Sequence, residues 1–92
     1  TMEMDSMSTA GLLAEAVPLE KEAGFRIRED HLDGAGGGHC LIHGVKWLLL
    51  DLTQALDEQL NDAIDALRAE PTPPATISPE LARLIGEPSK AA

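Results

Sequence analysis

The chain has 92 residues, 43% of them apolar, with Phe25 and Trp47 as its only aromatic side chains, which limits it to one domain and one small core. Sixteen acidic against seven basic side chains give a formal net charge of -9, so nucleic acid and anionic membrane surfaces are repelled at long range and are excluded as expected partners. Cys40 is the single cysteine, so no intrachain disulfide can form, and a reducing, cytoplasmic location is expected.

Glu3 and Asp5 stand where the basic region of a secretory signal would lie, and no signal is expected there. The longest apolar run, Trp47 to Leu50, is bounded by Lys46 and Asp51 and falls far short of the ~20 residues of a bilayer-spanning helix. Residues 1–10, rich in Met, Ser and Thr without period, read as a disordered lead-in to a single domain over 11–86. Within 11–23, Leu12, Leu13, Ala16 and Val17 have helical spacing, but Gly11 and Pro18 oppose a long helix, so a short, weak one is expected.

Gly24 ends that pattern. Phe25, Arg26, Ile27 and Arg28 then alternate apolar with basic, which predicts a first strand over about 25–30. The run from Asp33 to Gly38 offers almost no side chain to bury and reads as a turn or mobile loop. Two apolar runs follow, CLI and VKWLLLDL, separated by His43 and Gly44 in the manner of a two-residue hairpin turn. In that register Ile42 faces Val45 and Cys40 faces Trp47. Alternation puts Cys40, Ile42, Val45, Trp47 and Leu49 on one side, and Leu41, Leu48 and Leu50 on the other with His39, His43 and Lys46. A sheet with two apolar faces needs cover on both.

Leu56, Leu60, Ala63, Ile64 and Leu67 share one helical face opposite Asp57, Glu58, Asp62 and Asp65, predicting a long amphipathic helix over about 55–69. Pro71 to Pro74 form a stiff connector, and Ser78-Pro79-Glu80 signals the start of a short helix over 79–85, with Gly86 as its stop and 87–92 as a flexible tail. The expected fold is therefore α+β: a small three-stranded, mainly antiparallel sheet packed against one long amphipathic helix, with short terminal helices. The second sheet face is left to the short helix, the N-terminal segment or another subunit. An ordered region of ~60 residues buries only ~60% of its unfolded surface, so a homodimer is the expected remedy.

His39, Cys40 and His43, with His31 and Asp33 upstream, are residue types that bind zinc. On a regular strand His39 and His43 stand ~13 Å apart and Cys40 points the other way, so a core cysteine beside two marginal histidines is the plainer reading. The same holds for Cys40 as a nucleophile, because a strand cysteine facing Trp47 lacks the electropositive, exposed setting that a reactive thiol needs. GAGGGH leads into a strand and lacks GK[ST], so it is no phosphate loop, and no cofactor is expected. Glu29, Asp30 and Asp33 read as solvated carboxylates, and the acidic face of the long helix as its wet side or a docking surface for a basic partner.

AGFRIRED, GGGHCLIHGVKWLLLDL and DEQLNDAIDAL together resemble a small, uncharacterised bacterial α+β domain family, over residues 23–67. The resemblance makes Gly37, Gly38 and Cys40 the approach to the hairpin, Gly44 its turn, Asp51 the end of the last strand, and Glu58 with Gln59 the helix start. It implies a compact α+β fold and no established activity. The helix carries no H-E-x-x-H, so kinship with zinc metallopeptidases would leave no catalytic machinery. With no catalytic set, metal frame or cofactor loop, the expectation is a non-catalytic, self-associating interaction module using Trp47, Leu48 and Leu50. The alternative is a metal-binding or thiol-active protein using His39, Cys40 and His43.

Overall fold

A computed structural model describes residues 8–33, 36–71 and 76–87. The lead-in over 1–7, Gly34 and Ala35 of the glycine run, 72–75 of the connector and the tail beyond Glu87 lie outside the described residues. In chain order the elements are α1 (Thr9–Glu22), β1 (Arg26–Asp30), β2 (Gly38–Ile42), β3 (Val45–Asp51), α2 (Leu56–Arg68) and α3 (Pro79–Gly86). The α+β class is as expected, with two differences inside it.

The sheet is mixed rather than mainly antiparallel, with β3 in the centre: β2 pairs with it antiparallel and β1 pairs with it parallel. Hairpin pairing follows the expected register, Ile42 opposite Val45 and Cys40 opposite Trp47. His43 and Gly44 both adopt positive φ, 51° and 79°, as a type I′ turn requires. The strand with the longest apolar run occupies the position hydrogen-bonded on both edges, and that placement sends β1 to its far side.

The second difference is that no single long helix dominates. α1 has 14 residues and α2 has 13. Ser8, which falls in the sequence's lead-in, instead caps α1 by accepting the Gly11 N–H at 3.0 Å. Pro18 lies inside the helix on an exposed position, so the missing donor and the Gly11 penalty are outweighed by burial of Leu12 and Ala16. Gly24, at φ 101°, then turns the chain out while Phe25 donates its N–H to the Glu20 carbonyl.

α1 and α2 pack together over one face of the sheet, and their shared core holds Leu48, Leu50, Leu60, Ala63, Ile64 and Leu67. α3 begins where expected, Ser78 accepting the Leu81 N–H, and its buried Leu81 joins that core. Two side chains tie α3 down: the Glu15 carboxylate accepts from the Ser78 N–H and hydroxyl, while Arg68 donates to the Leu84 and Ile85 carbonyls. Arg68 thus satisfies carbonyls at the C-terminus of α3, where the helix dipole favours a cation. Lys46 does the same service on the sheet side. Its ammonium donates to the Ala23 carbonyl and the Glu70 carboxylate and lies 4.9 Å from the Phe25 ring centroid.

Gly37 has no room for a side chain, because a Cβ there would fall on the Leu49 carbonyl oxygen and 3.1 Å from an Asp62 oxygen. Gly37→Ala is expected to destabilise the fold by about 2 kcal/mol, read as a lowered denaturation midpoint with unchanged slope.

Glu20 sits in the core with no solvent exposure, and neither carboxylate oxygen has a hydrogen-bond partner among the described residues. Burial pushes its pKa from 4.5 up to about 8. The folded protein therefore holds a proton that the unfolded chain releases, so this group lowers stability progressively as pH rises from 4.5 to about 8. Glu20→Met is expected to raise the melting temperature most at about pH 8, where the wild-type carboxyl must give up its proton, and to raise it less at about pH 5, as read by thermal denaturation at the two pH values.

Candidate functional site

The two faces of the sheet have different fates. Leu48 and Leu50 are 0% and 1% exposed beneath the helices. The other face, carrying Arg26, Arg28, Cys40, Ile42, Val45, Trp47 and Leu49, is covered by no described element. Of the three side chains expected to make contacts, only Trp47 therefore reaches an accessible surface. Leu49, its neighbour two residues along β3, lies on the same face and is half-buried.

Trp47 is half-buried, and the Arg26 guanidinium carbon lies 5.9 Å from its ring centroid. A contact of this kind contributes roughly 0.5–1 kcal/mol at an exposed site. The alternating arginines that marked β1 as a strand thus frame an apolar patch. Arg28 is drawn aside by Asp30, at 3.2 Å.

Cys40 is exposed, which corrects its expected place in the core. The reason is topological: β2 is an edge strand and its Cys40 side chain points to the uncovered face. His39 lies on the helix side of the same strand, its ring edge-on to Phe25 at 6.4 Å between centroids, and His43 is held in the turn. The three are not brought together. Among the described residues no group of three His, Cys, Asp or Glu side chains is placed to hold a metal ion. Glu29 and Asp33 are exposed, and Asp30 accepts from Arg28 and from the His31 N–H, so these carboxylates form no convergent set.

Asp51 is the polar centre that holds the sheet end. Its side chain is fully buried and accepts from the Thr53 hydroxyl at 2.6 Å, the Thr53 N–H at 2.9 Å, the Leu32 N–H at 3.0 Å and the Gly36 N–H at 3.1 Å. Because β1 and β2 flank β3, the segment joining them must cross the end of β3, and Asp51 fastens both of its ends there. The Thr53 hydroxyl bond chiefly, with the three backbone N–H groups, holds the Asp51 carboxyl far below the usual carboxylate range against its desolvation. Only the family resemblance singled out this aspartate, as a strand end.

A second feature lies beside α2: a groove of about 570 Å³ running to the end of α3, with Asp57, Glu58, Asp62, Leu84 and Glu87 among its lining. Burial, then the neighbouring Asp65 and Glu58, push the Asp62 carboxyl above its ordinary pKa. Arg68 reaches the same wall but is committed to Asp65 and the α3 carbonyls.

No protein-family model, curated protein or solved structure matches the chain. No helix among the described residues is long and apolar enough to cross a membrane.

Asp51→Asn is expected to lower the melting temperature by roughly 5 °C or more at neutral pH, and to remove hydrogen-exchange protection at the Leu32 and Gly36 amides. The wild-type contribution is present above the ordinary aspartate pKa and is lost as pH falls through the depressed folded value, so the gap between variant and wild type should close in acid.

Proposed function

We propose that this protein is a non-catalytic interaction and assembly module that associates with a second copy of itself through the open face of its sheet. One observation supports the reading: Val45, Trp47 and Leu49 of the central strand, with Ile42 beside them, line a sheet face that no described element covers. Apolar side chains on the second face of a sheet contribute to stability only when water is excluded from that face too. A symmetric pair brings the same patch from each copy into contact and excludes water from both at once.

Trp47 is the central contact, since an indole already stacked on one side by Arg26 loses little freedom on docking. The footprint, three strands wide and five residues long, is roughly 15 by 17 Å. That is below the area of an obligate interface, so the association is reversible and concentration-dependent. A single exposed thiol, Cys40, with no second cysteine in the chain to pair with, suits a reducing, cytoplasmic setting.

Sedimentation equilibrium across a concentration series tests this. The molar mass should rise towards twice that of one chain, and Trp47→Ser should return it to one chain while the circular dichroism spectrum is retained. A wild-type mass that stays at one chain up to high protein concentration would overturn the reading.

A further inference from the structure

The sheet has two free edges, and they differ in chemistry. Of the five residues of β1, Arg26, Arg28, Glu29 and Asp30 carry charge, which is the usual protection of an edge against pairing with another strand. β2 is Gly38-His39-Cys40-Leu41-Ile42, without acid, lysine or arginine, and Leu41 and Ile42 are 69% and 48% exposed. Among the described residues no strand lies beyond it.

Its backbone is arranged for addition. Ile42 and Val45 close a two-residue turn and form a hydrogen-bonded pair, and the alternation of an antiparallel ladder then directs the N–H and C=O groups of Cys40 and Gly38 towards β3. Those of His39 and Leu41 point outwards. Their two donors and two acceptors are spaced as an extended chain requires.

Charge identifies the occupant. On the helix side of β2, the Asp62 carboxylate lies against Gly37, and His39 is among the charges acting on it. Glu58 and Asp65 stand on the same flank of α2, each acting on Asp62 as a like charge. A strand added to β2 would send every second side chain towards this acidic flank and the others towards the open face beside Cys40 and Ile42. A second copy fits poorly there. Antiparallel pairing of two β2 strands would set two α2 helices side by side, acidic flank to acidic flank, in a chain of net charge -9.

We infer that the free edge of β2 is a strand-addition site for an extended segment of another protein that carries lysine or arginine at alternate positions. Main-chain bonds to His39 and Leu41 supply the pairing, and Glu58 and Asp62 select the basic residues, Asp65 being held by Arg68. This goes beyond the self-association reading and does not need it, because the edge and the open face are different surfaces.

The probe is a short blocked peptide alternating valine with lysine, titrated into the isotope-labelled full chain and followed by amide chemical shifts, with the matching valine–glutamate peptide as control. Shifts at His39 and Leu41, and binding at least about tenfold tighter than the control, are expected. Leu41→Pro removes an outward-facing N–H on an edge strand and should abolish binding with the fold retained. Glu58→Gln combined with Asp62→Asn leaves the backbone edge untouched and should weaken the lysine peptide about tenfold.

Equal affinity for both peptides, shifts confined to the neighbourhood of Trp47, or unchanged affinity in the double variant would overturn the inference. So would a folded Leu41→Pro chain that still binds. A doubling of molar mass abolished by Leu41→Pro but kept by Trp47→Ser would assign the edge to a second copy instead. Loss of the doubled mass in Trp47→Ser reports on the open face, and peptide-induced shifts of the His39 and Leu41 amides report on the edge, so the two readings fail separately.

Discussion

β3 is hydrogen-bonded on both of its edges, and the rest of the molecule is arranged around that fact. A central strand with Leu48 and Leu50 buried on one side gives α1 and α2 a common surface to pack on. It also forces the chain between β1 and β2 to pass across its end, where backbone groups lose the ladder and need other partners. Asp51 supplies them. At the other end of β3 Lys46 bonds to the carbonyl of Ala23, which caps α1, and to Glu70 beyond α2, so one strand carries polar links to the ends of both helices.

The same central position explains where the molecule is available for contact. All three helices lie on the side of Leu48 and Leu50, so among the described residues no element packs over Trp47 and Leu49. Edge placement does for β2 what one-sided cover does for β3: it exposes groups that a sequence pattern would assign to the interior. An open apolar face and an uncharged edge therefore meet at Cys40 and Ile42, while the charged β1 closes the opposite edge. The acidic flank of α2 gives the β2 edge an electrostatic character that the open face, framed by Arg26 and Arg28, does not share.

One local conflict stands out against this arrangement. Glu20 occupies a core position on α1 without a partner for its carboxyl group among the described residues, although a methionine or leucine there would satisfy the helix pattern. Its surroundings favour the neutral form, so its ionisation opposes folding increasingly as pH rises from 4.5 to about 8. Asp51 acts in the other direction, being ionised by its four hydrogen bonds and weakened only in acid. The two carboxyls set opposite slopes of stability with pH from opposite ends of the molecule's polar chemistry.

Short-range chemistry made part of this legible. The His43–Gly44 turn, the pairing of Cys40 with Trp47, the amphipathic α2 and the Ser78 cap of α3 each depend on residues close in sequence, and period and capping rules identify them without knowledge of the whole fold. The alternation of Arg26 and Arg28 likewise disclosed a strand and its faces. Which strand became central, whether β1 ran parallel to it, and how far α1 extended through Pro18 depended on contacts between distant segments. Cys40 shows the difference most clearly: its facing residue was readable from the turn, but its exposure was decided only when β2 became an edge and all the helices chose the other side. Leu48 and Leu50 passed from candidate contact residues to core for the same reason. The sequence by itself determined local conformation and the composition of each sheet face; the tertiary structure alone decided which face was covered, because burial is a property of the assembled layers and not of any one strand.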